Sequence, residues 1–422
     1  MKKIYLYLFS LLVFLIFPMK AQESHDFFDA MDVFELEWAS DPQVSPDSKA
    51  IVYVRKSHDI MKDKVRSNIW QIKIDGEDHR PLYSELGNSY SPRWSPNQER
   101  LAFLSNNSGS TQIHMYWFKS GETRAITQLQ ESPSSLSWSP DGKWIAFTMN
   151  VKAKSNAIVE SREKPEGATW AKKPITVTTT RYQYDGRGIV EPSYRHIFIV
   201  PAEGGSARQL TTGNFNHYGP LSWSPDSESI FFSAYRSDDW ELASSEADIY
   251  RVKVTDERID QITNQSGEEN SPVVSPNGKL IAFNLKERRP LAYTPNRIAV
   301  MDLEGKNMRV ISENLDGDAE NIVWAEDNQS IYFTFDERGI RKVGKVTLTG
   351  KLSEAATNVG GTTIGRPYIS GGFHVTKNTI AFTYGQSDSP ADLAIMQNGK
   401  FKVLTGLNED LLAHRKLGEV NE

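Results

Sequence analysis

A short frame, Ser-Pro-Asx-Gly set between two apolar runs, returns along this chain and limits its fold more than any other feature. The fullest copy is Leu136-Ser137-Trp138-Ser139-Pro140-Asp141-Gly142-Lys143-Trp144-Ile145-Ala146-Phe147. Pro42 to Tyr53, Pro92 to Phe103, Leu221 to Phe232 and Pro272 to Phe283 repeat it, and Trp324 to Phe333 and Phe373 to Phe382 are weaker copies. The shared register falls at positions 45, 95, 139, 224, 275, 325 and 374, so every interval but one lies near 50 residues. After each copy comes a second alternating stretch: Asn68 to Ile74, Gln112 to Phe118, His196 to Val200, Asp248 to Val254, Arg297 to Leu303, Ile340 to Val346 and Asp392 to Met396. Several run on to a turn and a Leu-Thr or Ile-Thr ending, as at Leu210-Thr211, Ile262-Thr263 and Leu404-Thr405.

The residue types of the frame have a physical reason. Ser opens a turn by bonding nearby backbone, Pro presets φ for the next position, Asp or Asn suits the third, and Gly closes it. Runs such as Ile145-Ala146-Phe147 are apolar on both faces of a strand, which requires burial on both sides. Four-stranded sheets stacked around an axis supply that burial, and a period near 50 fits one sheet per repeat. The expectation is an all-β chain: a seven-bladed β-propeller of four-stranded blades over residues 41–405. The long interval places an insertion of about 35 residues within 151–194. Its first part, Lys152 to Lys173, is rich in Lys, Glu, Ser and Pro, and Ile175 to Tyr184 reads as strand. It is expected to be a solvated excursion, with a flap over the channel mouth as its functional alternative. Ahead of the blades, Phe27, Met31, Phe34 and Trp38 follow one helical face and predict a short helix over Phe27 to Ala39, in a lead-in over residues 22–40.

Met1-Lys2-Lys3, an apolar run from Ile4 to Phe17, and Pro18 to Gln22 have the layout of a signal peptide, with cleavage expected near Ala21. The run is too short for a spanning helix, which needs roughly 20 residues. The mature protein is expected in the periplasm or secreted, with no membrane partner. With 48 basic against 54 acidic residues the chain has a formal charge of −6 and no long basic run, so nucleic acid is not an expected partner. There is no cysteine, which excludes thiol catalysis, thiolate metal sites and disulfides.

The usual chemical motifs are missing. No Gly-x-Ser-x-Gly occurs; Gly204 to Arg208 and Gly385 to Ser389 lack the final glycine. There is no His-Glu-x-x-His, and the histidines at 25, 58, 79, 114, 196, 217, 374 and 414 lack ligand spacing. Gly339 to Lys345 has phosphate-loop spacing, but Val346 stands where Ser or Thr would hold magnesium. Glu191 breaks the dinucleotide pattern begun by Gly186 and Gly188. Asp316-Gly317-Asp318 reads as a turn, not a calcium loop. The repeated Asx at 47, 97, 141, 226, 277 and 327 belong to the turns, and Trp94, Trp138, Trp223 and Trp324 to the blade core, because repetition at one register marks structure. No catalytic residue, metal ligand or cofactor is assigned.

The Trp-Ser-Pro-Asp-Gly repeats, the opening Met31 to Asp47, and the segment from Arg181-Tyr182 to Arg195-His196-Ile197-Phe198-Ile199-Val200 resemble the prolyl oligopeptidase family of serine peptidases, in its acylaminoacyl-peptidase and dipeptidyl-peptidase-like branch. The resemblance implies that a propeller precedes an α/β-hydrolase domain bearing the Ser-Asp-His triad, gates peptide substrates and docks that domain. Residues 406–422 are similar to the family's link toward the hydrolase, whose triad motifs are absent from this sequence, so the chain is expected to be inactive alone. Arg181 and Tyr182 are the candidates for facing substrate, since an arginine pairs with a peptide carboxylate. The alternative is a stand-alone TolB-like periplasmic propeller that binds protein.

Overall fold

The computed structural model describes residues 26–153, 162–171, 175, 177, 179–243, 245–289, 291, 293–360 and 371–421; the expected signal peptide lies outside them. Seven four-stranded antiparallel sheets follow one another, each from a contiguous stretch of chain with its strands in sequence order. Blade 1 comprises Trp38–Val44, Ala50–Asp59, Lys64–Lys73 and Arg80–Tyr83; blade 2 comprises Ser89–Trp94, Arg100–Ser105, Gln112–Trp117 and Thr123–Ala125. Blade 3 consists of Ser134–Trp138, Trp144–Lys152, Ser193–Pro201 and Arg208–Gln209, and blade 4 of His217–Trp223, Ser229–Ala234, Asp248–Lys253 and Ile259–Gln261. Blade 5 has Gly267–Val274, Ile281–Glu287, Arg297–Met301 and Arg309–Val310; blade 6 has Glu320–Trp324, Ser330–Glu337, Ile340–Thr347 and Leu352–Ala356. Phe373–Thr376, Thr379–Gln386, Ser389–Gln397 and Lys400–Val403 make blade 7.

The turn signature works as its chemistry requires. Ser139 Oγ donates to Asp141 (2.6 Å) and accepts the Trp144 N–H (2.9 Å), while the Asp141 carboxylate accepts the Lys143 N–H (3.0 Å). Gly142 and Gly278 sit at positive φ, 69° and 67°. Where glycine is replaced, Ser48, Gln98, Ser227 and Asn328 take the same left-handed conformation.

Burial is organised by seams between blades. One apolar cluster fills each of the seven seams, for example Val52, Val54, Ile69, Leu101 and Phe103 between blades 1 and 2. The recurring tryptophans staple inner strands together: Trp94, Trp138, Trp223 and Trp324 each donate Nε1–H to a carbonyl of the preceding blade, at 3.1, 3.0, 3.3 and 2.8 Å. Where blade 5 has Val274 at that register, its N–H bonds Ser222 Oγ of blade 4 instead (2.9 Å).

Blade 7 closes on blade 1 without exchanging a strand. Ala39, Ile51, Tyr53 and Ile72 pack on Ala381, Leu393 and Ile395, and His374 Nδ1 accepts the Val44 N–H at 3.2 Å. Burial pushes the His374 imidazole down to about 4, so it is neutral and free to accept.

The short helix predicted in the lead-in is a single 3₁₀ turn, Asp32–Glu35, begun where Asp29 Oδ1 accepts the Met31 N–H (2.6 Å). The chain is already extended at Trp38, where blade 1 begins, so the helical face does not run to Ala39. The insertion leaves blade 3 at Lys152 and returns at Ser193. Within the run read as strand, the described pairing is narrower, Gln183–Tyr184 against Gly188–Ile189. Thr176 and Thr178 of that run lie outside the described residues.

Candidate functional site

Antiparallel order gives the ring two unlike faces. The Ser-Pro-Asx-Gly turns and the connections from third to fourth strand lie on one face, the turn face. Connections from second to third strand and from blade to blade lie on the other, the loop face. Ile60, Met61, Leu86, Leu242, Leu291 and Tyr293 are exposed on the loop face, as are Trp170, Ile175, Val177, Tyr182, Tyr184 and Ile189 of the insertion. Among the described residues no large exposed apolar side chain lies in the turns of the turn face. Exposed apolar area concentrated on one side is a mark of a contact surface.

Both ends of the described chain also reach the loop face, because blade 1 starts there and the outer strand of blade 7 finishes there. They are clasped together. Asp26–Phe27 pairs in parallel with Arg415–Lys416. Arg415 Nε and Nη2 donate to the two oxygens of Asp32, at 2.7 and 2.8 Å. The guanidinium, with the Asp29 N–H, holds the Asp32 carboxyl below the usual range. Asn408 accepts the Glu37 N–H (2.8 Å) and donates to the Glu37 carbonyl (2.7 Å), and Arg55 pairs with the Glu37 carboxylate.

Inner strands carry bulges with residues at positive φ, including Asp41, Ser91, Ser135, Ser271 and Asn321. Grooves open beside some of them on the loop face. One, of about 340 Å³, lies where blades 4 and 5 meet and is lined by Arg181, Tyr218, Tyr235, Trp240, Glu246 and Glu268 among others. Arg181 reaches it because the insertion is tied to the second connection of blade 4: Glu241 accepts both the N–H and the hydroxyl of Thr180, at 3.0 and 2.9 Å, and Tyr194 packs edge-on against Trp240. Tyr182 is outside the lining; its carbonyl accepts the Val190 N–H (2.9 Å) within the hairpin. Glu246 is committed, bonded to Arg288 (2.7 Å) and to the Gly267 N–H (2.9 Å).

Behind that wall lies a pair of buried acids that the sequence reading did not single out. Asp248 and Glu269 face one another across the seam, where the Ala247 and Glu268 backbones form a parallel bridge. Burial, with the neighbouring Glu246, pushes Asp248 up to about 6. Burial, with Asp248 adding repulsion, pushes Glu269 up to about 7. The repeat accounts for Asp248: its register matches Gln112, His196 and Asp392, of which Gln112 and Asp392 accept the hydroxyl of a threonine that bonds the third strand, as Asp392 does with Thr405 (2.7 Å). Nothing in the repeat accounts for Glu269.

On the blade 3 side, buried His217 accepts from Arg236 (2.5 Å) and donates Nδ1–H to the Arg195 carbonyl (2.8 Å). Burial holds it down at about 3, so it stays neutral. Among the described residues no serine hydroxyl bonds a histidine ring, and no group of three or more His, Asp or Glu is placed to hold a metal.

The family model of the TolB β-propeller domain (PD40) matches residues 38–171 and 172–367. The chain is 26% identical over 338 residues to the uncharacterized peptidase YuxL of Bacillus subtilis, covering 76% of this chain and 50% of that protein. It is 25% identical to dipeptidyl-peptidase 5 of Porphyromonas gingivalis, covering 76% and 48%. The chain thus spans about half the length of the curated relatives it matches. A solved structure of Pyrococcus horikoshii acylaminoacyl peptidase shares the fold, with TM-score 0.70 and 17% identity over 92% of this chain and 56% of that one.

Proposed function

Because the chain belongs to the TolB β-propeller (PD40) family and shares its propeller with proteins named peptidases, we propose that it is the non-catalytic propeller of an exported serine peptidase of the prolyl oligopeptidase type, with an α/β-hydrolase domain docked on its loop face and peptides filtered beside it. The observation that carries the reading is the coincidence on one face of the exposed apolar side chains, the clasped chain ends and the Arg181 groove. A domain joined after the last blade starts from that face, and Leu242, Leu291 and Tyr293 would be buried beneath it. Water would be excluded from the space between, where electrostatic contacts strengthen. Arg181, held at the groove by the Thr180–Glu241 bonds, would meet a peptide carboxylate, and the insertion would act as the flap.

Hydrogen exchange tests this, comparing the chain with the same chain joined at its C-terminus to an α/β-hydrolase domain of the peptidase type. Amides at 60–61, 86, 242 and 291–293 should gain protection. Protection confined to the turn face, or none, would refute the docking. The second reading, a free-standing TolB-like binding propeller, is favoured by the family model itself and would then lead.

A further inference from the structure

A second groove, of about 500 Å³, occupies the equivalent position between blades 1 and 2. Its lining carries one acidic side chain, Asp41, where the Arg181 groove carries Glu246 and Glu268. Bulges at Asp41 and Ser91 open it, and Lys56, Ser40, Ser67 and Asn106 help to line it. Asp41 looks like the natural partner for Lys56, but its carboxylate is already taken: Arg93 Nη1 reaches both oxygens at 3.1 and 2.9 Å across the seam, and Gln43 donates to it at 2.9 Å. Lys56 therefore has no hydrogen-bond or ion-pair partner among the described residues, although it is half-buried and burial pushes its ammonium below the usual lysine range. The hydroxyls of Ser40, Ser67 and Ser91 are likewise unbonded within the described residues. A desolvated cation beside free donors is costly unless an anion completes it.

We propose that this groove is a carboxylate-binding subsite in which Lys56 supplies the charge and Ser40 and Ser67 supply hydroxyl donors, and that the carboxylate is that of a peptide. The Asp41 carboxylate, engaged by Arg93, still favours the Lys56 ammonium electrostatically but does not bond it. Three unbonded hydroxyls suit a group that accepts several bonds at once, as a carboxylate does and an amide carbonyl does less well. That a peptide carries the carboxylate rests on the peptidase reading above; the anion site itself does not.

The test is amine labelling of the chain followed by mass spectrometry, with N-acetyl-diglycine, its amide, and inorganic phosphate as probes. N-acetyl-diglycine should slow acetylation of Lys56 about fivefold, leave the freely exposed Lys49 unchanged, and lose about tenfold in calorimetric affinity in Lys56→Met, equivalent to one charge-assisted contact. Lys56→Met should keep the melting temperature, since it removes an unpaired half-buried charge; Ser67→Ala, expected to weaken binding less, is the second variant. Equal protection by the amide, unchanged affinity in Lys56→Met, or protection by phosphate alone would overturn the proposal. Because the assay uses the chain without a hydrolase domain, failed docking on the loop face would leave its result unaffected, and the two readings fail separately.

Discussion

Replacing Asn408 with alanine should loosen the ring at the point where its two ends meet. Asn408 is 3% exposed and satisfies both backbone groups of Glu37, a residue 371 positions away, with bonds of 2.8 and 2.7 Å. Removing it leaves one N–H and one C=O without partners. A buried unpaired polar group costs about 1–3 kcal/mol; Glu37 is half-buried and water can partly replace the amide, so about 2–3 kcal/mol in total is expected. Guanidinium unfolding followed by tryptophan fluorescence should show the midpoint falling by about 0.5 M for a chain of this size. Asn408→Asp keeps the acceptor and loses the donor, and should fall between the two. A midpoint for Asn408→Ala equal to that of the parent would mean that the apolar seam between blades 7 and 1 closes the ring by itself, and the clasp would lose its assigned role.

Further outcomes follow from the packing and charge. Gly344→Ala places a methyl 2.5 Å from Cζ of buried Phe333, and calorimetry should register about 1–3 kcal/mol of overpacking. Asp248 and Glu269 have folded values raised to about 6 and about 7, above those of the unfolded chain, so the native state holds extra protons and stability falls as pH rises from about 4 through 7. Glu269→Gln should flatten that part of a melting-temperature profile and raise stability at pH 8; an unchanged slope would exclude the pair as its source. Glu241→Ala removes both bonds to Thr180, and limited proteolysis should then cut the insertion faster while the blades persist.

What the sequence made legible is what recurs locally. Ser139, Pro140, Asp141 and Gly142 build a turn from neighbours in the chain, so their spacing announced the blade count before any long-range contact was known. The recurring tryptophans were readable as core but not as staples, because Trp324 finds its acceptor at Val273, in the blade before. His374, without ligand spacing, turned out to hold the closing seam, and its partner Val44 lies 330 residues away. Glu269 stands in a polar-looking strand, Gly267-Glu268-Glu269-Asn270, and is buried only because the Ala247 backbone docks beside it. Lys56 was equally silent: its isolation depends on Arg93, from the next blade, having already occupied Asp41. Of the two residues singled out for substrate, Arg181 lines a groove and Tyr182 does not, a difference set by the fixing of Thr180 on Glu241.

The measurement that bears most directly on the central claim is the DNA sequence immediately downstream of codon 422, read in all three frames. The account predicts a Gly-x-Ser-x-Gly followed by Asp and His, the catalytic partner proposed to dock on the loop face. Absence of a hydrolase domain in every frame would contradict it and leave a propeller that binds on its own account.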